Sequence, residues 1–311
     1  MSLIVGSHSP KWGHTYLAEG FGKLYALRSL ADGSYLCVYE IPQTLHEVVT
    51  PDELVCIGEF PTEGKHSCHI TLLEKQAVVC DYTSGTVSLF NLNQTGIPKG
   101  EPQIIRYHGN GPDPIRQASA HIHSSWVSPD EKSIIIADLG SDRLYRYSIK
   151  EGRVDVDSQE TFDLPKGCGP RHCAFFNDKI YVTTELSDEV LVYSYAEMKL
   201  LQRTTVNETK PQGGGHIVVS PDKKYLYVSS RLKNDGIATF YIKADGLLER
   251  ISYQQTGSHP RHFAISADGN SLICANRDSN SLEWFDIENG ILRKRGETHQ
   301  EKPVFVTIKQ Q

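Results

Sequence analysis

Imidazole, guanidinium and carboxylate side chains recur at the ends of short predicted strands in this chain. The four with the most informative chemistry are His123, Arg171, Glu185 and Arg231. An imidazole whose pKa stays near neutrality can take a proton from water. Guanidinium groups match the geometry of carboxylates and phosphates and can stabilise a developing oxyanion. A glutamate can orient an arginine or protonate a leaving group, so the combination predicts acid–base chemistry on an anionic substrate.

The elements that must position these residues are copies of one repeat. Its clearest copy spans residues 258–287 and reads as three short strands separated by two polar turns, with residues 291–297 as a fourth strand. Seven first strands recur at a period of about 45–55 residues, the range of propeller blades. The sequence therefore predicts an all-β fold, a seven-bladed β-propeller, as a single domain over residues 1–311. A pair of sandwiches or a β-helix is the alternative architecture.

The seventh copy is incomplete. Its first strand, around Phe305, matches residues 259–263, and no further strand follows it in the sequence. A single strand would leave open edges in its blade. A spare apolar strand, residues 3–6, lies near the other end of the chain. We therefore expect both termini to form the closing blade together, with only two or three strands.

Strand geometry predicts where the polar residues meet. The first strand of a blade lines the central channel, and the second runs antiparallel to it, so the start of the first lies beside the end of the second. These positions from all blades should form a polar ring at one mouth of the channel. His123 and Glu185 break the repeat and are the most informative members. The members predicted to bind substrate are His69, His172, His216, Arg261 and Arg277.

A structural role is the alternative for each of these groups. We favour it for the histidines that recur at one register, since they could cap a turn or bond the neighbouring blade. Asp81 and Asp138 are expected to bond backbone groups in the turn that follows them. A zinc site is conceivable, but tetrahedral ligand spacing is not evident, so no metal and no cofactor are predicted. The residues considered for zinc are Cys68, His69, His172 and Cys173.

Composition excludes several classes of function. The formal net charge of −6 and the pI of about 6.1 suggest neither nucleic acid nor an anionic membrane as a partner. The opening residues lack the order of a secretory signal. No apolar run approaches the roughly 20 residues that cross a bilayer. The seven cysteines form no Cys-x-x-Cys pair, and we expect a reduced, cytoplasmic protein that is monomeric by default.

Three short motifs resemble a known family. They are Ser-His-Pro-Arg-His-Phe-Ala-Ile-Ser-Ala-Asp-Gly at residues 258–269, Gly-Pro-Arg-His at 169–172 and Ala-Asp-Leu-Gly-Ser-Asp-Arg at 137–143. Together they resemble the seven-bladed propeller lactonases, which include bacterial 6-phosphogluconolactonases and fungal carboxy-cis,cis-muconate cyclases. The resemblance implies an active-site set of one His, two Arg and one Glu at the channel mouth. It assigns them to His123, Arg171, Glu185 and Arg231.

The resemblance implies hydrolysis of a sugar lactone, first of all 6-phosphogluconolactone of the pentose phosphate pathway. Arg261 and Arg277 would then suit the phosphate. A carboxymuconate-type lactonizing cycloisomerase or another lactone hydrolase stays open, because each handles an anionic substrate or a lactone. A non-catalytic binding scaffold is the third possibility, since fold alone does not establish function. This chain departs from the family at residues 303–305, where Pro-Val-Phe replaces an expected Pro-Arg-His.

Overall fold

The computed structural model describes residues 2–8, 13–31, 33–209 and 212–309. Short strands dominate these ranges, with two 3-10 helices at Pro51–Glu53 and Val156–Ser158. The first fifteen strands are β1 (Ser2–Ser7), β2 (His14–Gly20), β3 (Lys23–Ser29), β4 (Ser34–Glu40), β5 (Val48–Val49), β6 (Cys56–Pro61), β7 (Ser67–Leu72), β8 (Gln76–Asp81), β9 (Thr86–Asn91), β10 (Gln103–Arg106), β11 (Ile122–Val127), β12 (Ser133–Asp138), β13 (Arg143–Lys150), β14 (Arg153–Val154) and β15 (Glu160–Asp163). The remaining strands are β16 (Pro170–Phe176), β17 (Lys179–Thr184), β18 (Glu189–Ser194), β19 (Leu200–Thr205), β20 (Gly214–Val219), β21 (Tyr225–Ser230), β22 (Gly236–Ile242), β23 (Leu248–Gln255), β24 (Pro260–Ile265), β25 (Ser271–Asn276), β26 (Ser281–Glu288), β27 (Ile291–His299) and β28 (Pro303–Lys309).

The described strands assemble into seven sheets. Five sheets have four strands each: β2-β3-β4-β6, β7 to β10, β16 to β19, β20 to β23, and β24 to β27. A sixth sheet joins β11 to β15, and the seventh contains both β1 and β28. Neighbouring strands in the first six sheets pair antiparallel, as short connections between consecutive strands require. Each repeat predicted from the sequence therefore corresponds to one sheet of the structure.

The chain divides into two compact units, Gly6–Gly169 and Met1–Val5 with Pro170–Gln311. Each has apolar clusters centred on second and third strands, whose side chains are buried on both faces. In Gly6–Gly169 one such cluster includes Ile134 and Tyr147. In the other unit a cluster includes Val228 and Phe240. Within the described ranges no helix has the length and apolar character that a membrane span requires.

One polar turn recurs between first and second strands. Ser266 Oγ donates to Asp268 Oδ1 at 2.5 Å, and the same oxygen accepts the backbone N–H of Asn270 at 3.1 Å. Equivalent pairs occur at residues 128–132 and 220–224. Since an aspartate that accepts nearby N–H groups stabilises a tight reversal, these turns fix how each first strand meets its second.

A β-bulge lies near the start of several first strands. In β16, Pro170 pairs with Thr184 and His172 with Thr183, so Arg171 is the extra residue. The same irregularity makes His123 the extra residue of β11 and Arg261 that of β24. Bulges redirect a side chain out of the regular alternation of a strand. His123, Arg171 and Arg261 therefore lie where the backbone departs from the ladder, whereas His69 and His172 pair regularly within it.

Candidate functional site

Two arginines converge on one carboxylate in the unit that contains Pro170–Gln311. Arg171 Nε donates to Glu185 Oε2 at 3.0 Å, and Arg231 Nη2 donates to the same oxygen at 2.8 Å. Arg171 comes from the bulge of β16, whereas Glu185 and Arg231 directly follow β17 and β21. We call these three residues the arginine cluster. All three side chains are buried, and two guanidinium ions against one carboxylate give the cluster a net positive charge.

Backbone carbonyls hold the same guanidinium groups from another side. Arg231 donates to Gly213 O and to Gly214 O, both at 2.9 Å. Arg171 Nη1 donates to Gly215 O at 2.9 Å. These bonds supply acceptors that a buried cation needs in addition to its counter-ion. The sheet can approach this closely because the three positions are glycines: a Cβ on Gly213 or Gly214 would overlap a carbonyl oxygen.

Two of the predicted histidines continue a series of hydrogen-bond contacts that starts at Arg171. Arg171 Nη1 lies 3.2 Å from His172 Nε2, and His172 Nδ1 lies 2.9 Å from His216 Nδ1. Since arginine only donates, His172 Nε2 is the acceptor, and its Nδ1–H donates to His216. Burial, and then the charge of Arg171, lowers the pKa of His216 to about 3, so this ring is neutral at physiological pH. The His216 ring also stacks on His262 at 3.9 Å between centroids.

His259 is a member of this site that strand-start reasoning misses. Its Nε2 lies 3.4 Å from Arg231 Nη1, and its Nδ1 lies 3.3 Å from Asp278 Oδ2. Arg277 grips the same aspartate through two bonds, Nε to Oδ1 at 2.7 Å and Nη2 to Oδ2 at 2.9 Å. Burial and the charges of Arg231, Arg277 and Arg261 hold the pKa of His259 far below its ordinary value. Substrate binding by Arg261 and Arg277 stays a prediction.

His123 and His69 belong to the unit Gly6–Gly169 and are described with their own neighbours. The ring of His123 lies edge-on to Tyr82, 5.7 Å between centroids. The His69 ring packs between Tyr16 at 4.2 Å and Trp126 at 4.9 Å. Both imidazoles are buried. The aromatic packing of His69 suits the structural role favoured for it, and the joint action of His123 with the arginine cluster stays a prediction.

The arginine cluster holds two positive charges in fixed orientations. Its guanidinium groups are already oriented by a carboxylate and by backbone carbonyls. Donors that are fixed before reaction cost little reorganisation when charge develops on a substrate oxygen. Among the described residues, no three His, Cys, Asp or Glu side chains are grouped as metal ligands. Guanidinium groups held in this way are suited to anion binding and oxyanion stabilisation.

Comparison with known proteins identifies the family. A family model described as a lactonase with a seven-bladed beta-propeller matches residues 16–308. A 6-phosphogluconolactonase of Formosa agariphila is 34% identical over 252 residues, which are 74% of this chain and 70% of the relative. A 6-phosphogluconolactonase of Bacillus subtilis is 28% identical over 297 residues, which are 89% of this chain and 82% of the relative. A solved structure from Bacteroides fragilis matches with a TM-score of 0.89 and 26% identity, covering 98% of this chain and 96% of that one. The chain therefore belongs to the seven-bladed β-propeller lactonase family, which confirms both the predicted fold class and the resemblance.

Proposed function

We propose that this protein is a hydrolase that converts a sugar lactone, 6-phosphogluconolactone, to 6-phosphogluconate. The observation that carries the proposal is the pair of buried arginines held on Glu185. A buried group with net positive charge suits a substrate that is anionic and that gains further charge on its carbonyl oxygen. The two relatives named 6-phosphogluconolactonase support this substrate.

The proposed mechanism is attack of water on the lactone carbonyl at the mouth of the propeller channel. His123 takes a proton as the water oxygen bonds to the carbonyl carbon. Arg171 and Arg231 stabilise the oxyanion that forms. The bond from that carbon to the ring oxygen then breaks, the ring oxygen takes the proton held by His123, and a hydroxy acid is released. Glu185 keeps the two guanidinium groups oriented.

Binding of the substrate phosphate is assigned to Arg261 and Arg277. Of the two, Arg261 is the better candidate, because Arg277 already forms a forked pair with Asp278. Planar guanidinium groups bind phosphate oxygens through two parallel hydrogen bonds. We assign further contacts with the substrate to His69, His172 and His216. The proposal needs no cofactor.

The test is hydrolysis of 6-phosphogluconolactone at neutral pH, scored above the spontaneous rate. Arg231→Lys and Glu185→Gln should each lower kcat by about 100-fold, since each disturbs a fixed donor to the oxyanion. The matched controls are Arg203→Lys and Glu189→Gln, which alter an exposed Arg–Glu pair of 2.7 Å in the same unit. These controls should keep the parent rate.

A parent protein that matches the spontaneous rate contradicts the phosphosugar proposal. Conversion of muconates or of unphosphorylated lactones would then assign a cycloisomerase or another lactone hydrolase. Binding of such compounds without turnover would leave the scaffold alternative. Full activity of Arg231→Lys and Glu185→Gln would locate the chemistry elsewhere in the protein.

We also propose that one propeller domain spans residues 1–311 and acts as a cytoplasmic monomer without nucleic-acid or membrane partners. All seven cysteines are free thiols. Free thiols without disulfides suit a reducing compartment. Gel filtration and thiol titration of the protein in cell extract test these points.

A further inference from the structure

We propose that His259 and Asp278 form a carboxylate–imidazole support that positions Arg231. The inference rests on the proposed function of the arginine cluster and adds two positioning residues to it. The support is a continuous path of polar contacts in one compact unit. It runs from the Arg277–Asp278 fork through the His259 ring to Arg231, and from there to Glu185.

The protonation of His259 follows from its neighbours. Arginine only donates, so the contact of 3.4 Å with Arg231 Nη1 requires an unprotonated Nε2. The proton of the neutral ring then lies on Nδ1, 3.3 Å from Asp278 Oδ2. The bonds from Arg277 hold the pKa of Asp278 below its ordinary value, so this carboxylate is an acceptor. Arg277 Nη2 also lies 3.2 Å from Nδ1, so a proton on Nδ1 leaves that one contact between two donors, although Arg277 Nη2 still bonds Asp278. A proton on Nε2 would instead make two contacts unfavourable, because Arg231 would face a donor and Asp278 would face a lone pair.

The support works because the imidazole is neutral. The positively charged groups that face it are Arg231, Arg261 and Arg277. The negatively charged groups are Asp278, which lies beside Nδ1, and Asp235, which accepts the backbone N–H of His259. A second cation here would repel Arg231, and burial adds to that penalty. A neutral acceptor instead takes one N–H of Arg231, while Glu185 and two glycine carbonyls take others. Four acceptor groups thus define the plane of the guanidinium.

The backbone of His259 alone does not mark it as functional. Its φ of +61° lies in the left-handed region, but His66 has a φ of +54° and Gly169 a φ of +61° just before their own first strands. The His66 ring is exposed and contacts Thr83. His66 therefore provides a matched control with the same backbone conformation. Because Gly169 shows that glycine suits this position, His259→Gly removes the ring without adding strain.

Steady-state kinetics with 6-phosphogluconolactone tests the support. His259→Gly and Asp278→Asn should lower kcat by about 10- to 100-fold, because a small displacement of a catalytic group has effects of this size. KM and the Tm should stay close to those of the parent. Added imidazole should restore part of the activity of His259→Gly. His66→Gly should keep the parent kcat. Parent-like kcat in His259→Gly, or a loss explained by a lower folded fraction, would overturn the inference.

A second measurement does not depend on activity. Nitrogen-15 NMR of the imidazoles, assigned by comparison with His259→Gly, should show a neutral Nδ1–H tautomer of His259 from pH 5 to pH 9. Asp278→Asn should change that tautomer or its chemical shift. An Nε2–H tautomer, or titration of His259 in this range, contradicts the support even in an active enzyme. An inactive parent with the expected tautomer contradicts the proposed function and leaves the support in place.

Discussion

Single residues show two ways in which this protein keeps charge buried. In the arginine cluster every charged group has an opposite charge and hydrogen-bond partners. Asp188 is different: it accepts Ser230 Oγ at 3.1 Å through Oδ2, and its Oδ1 has no hydrogen-bond partner among the described residues. Burial raises the pKa of Asp188 to about 7. Ionisation of Asp188 therefore lowers the free energy of unfolding.

Asp188→Asn should stabilise the protein at alkaline pH. The ordinary pKa of about 4 applies in the unfolded chain, so the parent loses stability as pH rises from about 4 to 7. Asparagine mimics the protonated acid and tolerates the φ of +52° at this position. We expect the free energy of unfolding to rise by about 1–3 kcal/mol at pH 8 and to change little at pH 4. Urea unfolding at both pH values checks this, with the exposed Asp157→Asn as control. A gain that is equal at both pH values would contradict the explanation.

The elements of the site depend on the glycine run at residues 213–215. A Cβ on Gly214 would overlap the carbonyl oxygen of Thr184, whereas a Cβ on Gly296 in β27 would meet open space. Gly214→Ala should therefore cost about 1–3 kcal/mol of stability and lower kcat, because the backbone that holds Arg231 must move. Gly296→Ala should leave both unchanged. Chemical unfolding with kinetics of the folded fraction measures the two effects. Parent-like behaviour of Gly214→Ala would mean that the close approach is not required.

At this scale the sequence predicted what depends on local pattern. Strand alternation and turn residues gave the repeat of sheets, and Asp138 does accept the backbone N–H groups of Gly140 and Ser141. The same prediction is wrong for Asp81, whose carboxylate accepts hydroxyl groups instead, including those of Ser67 and Ser88. Those partners come from neighbouring strands, and their direction depends on packing that a local turn pattern does not contain.

The site shows the same limit. Arg171 and Glu185 were predictable as neighbours because the start of one strand and the end of the next meet in an antiparallel sheet. Arg231 directly follows the second strand of the next sheet, so its place beside them was predictable only from the repeat of the blades. His259 was not predictable, because its ring reaches Arg231 only when His259 itself, just before β24, adopts a left-handed backbone conformation. Asp278 reads from sequence as a turn residue, and its contact with His259 depends on that same backbone conformation. The glycine run was the one visible signal, since three successive glycines indicate close approach of backbone.

At the scale of the whole molecule, one sheet joins strands from both ends of the sequence. β1 pairs with β28 in one sheet, as predicted. Leu3, Ile4 and Val5 of β1 are almost completely buried. An apolar strand at the end of a chain stays ordered only when it is held by pairing and burial. The energy of closure should therefore depend on these side chains.

Ile4→Ala and Ile115→Ala make the same chemical change at opposite extremes of burial. Ile4 is 0% exposed, whereas Ile115 is 82% exposed. Ile4→Ala should lower the free energy of unfolding by about 2–5 kcal/mol, because it removes buried methylene groups and leaves a cavity beside β28. Ile115→Ala should change it by less than about 0.5 kcal/mol. Urea denaturation of both variants measures the difference. If Ile4→Ala unfolds like the parent, β1 is not required for stability. If the parent shows a separate early transition that Ile4→Ala lacks, the pairing of β1 with β28 opens locally before global unfolding.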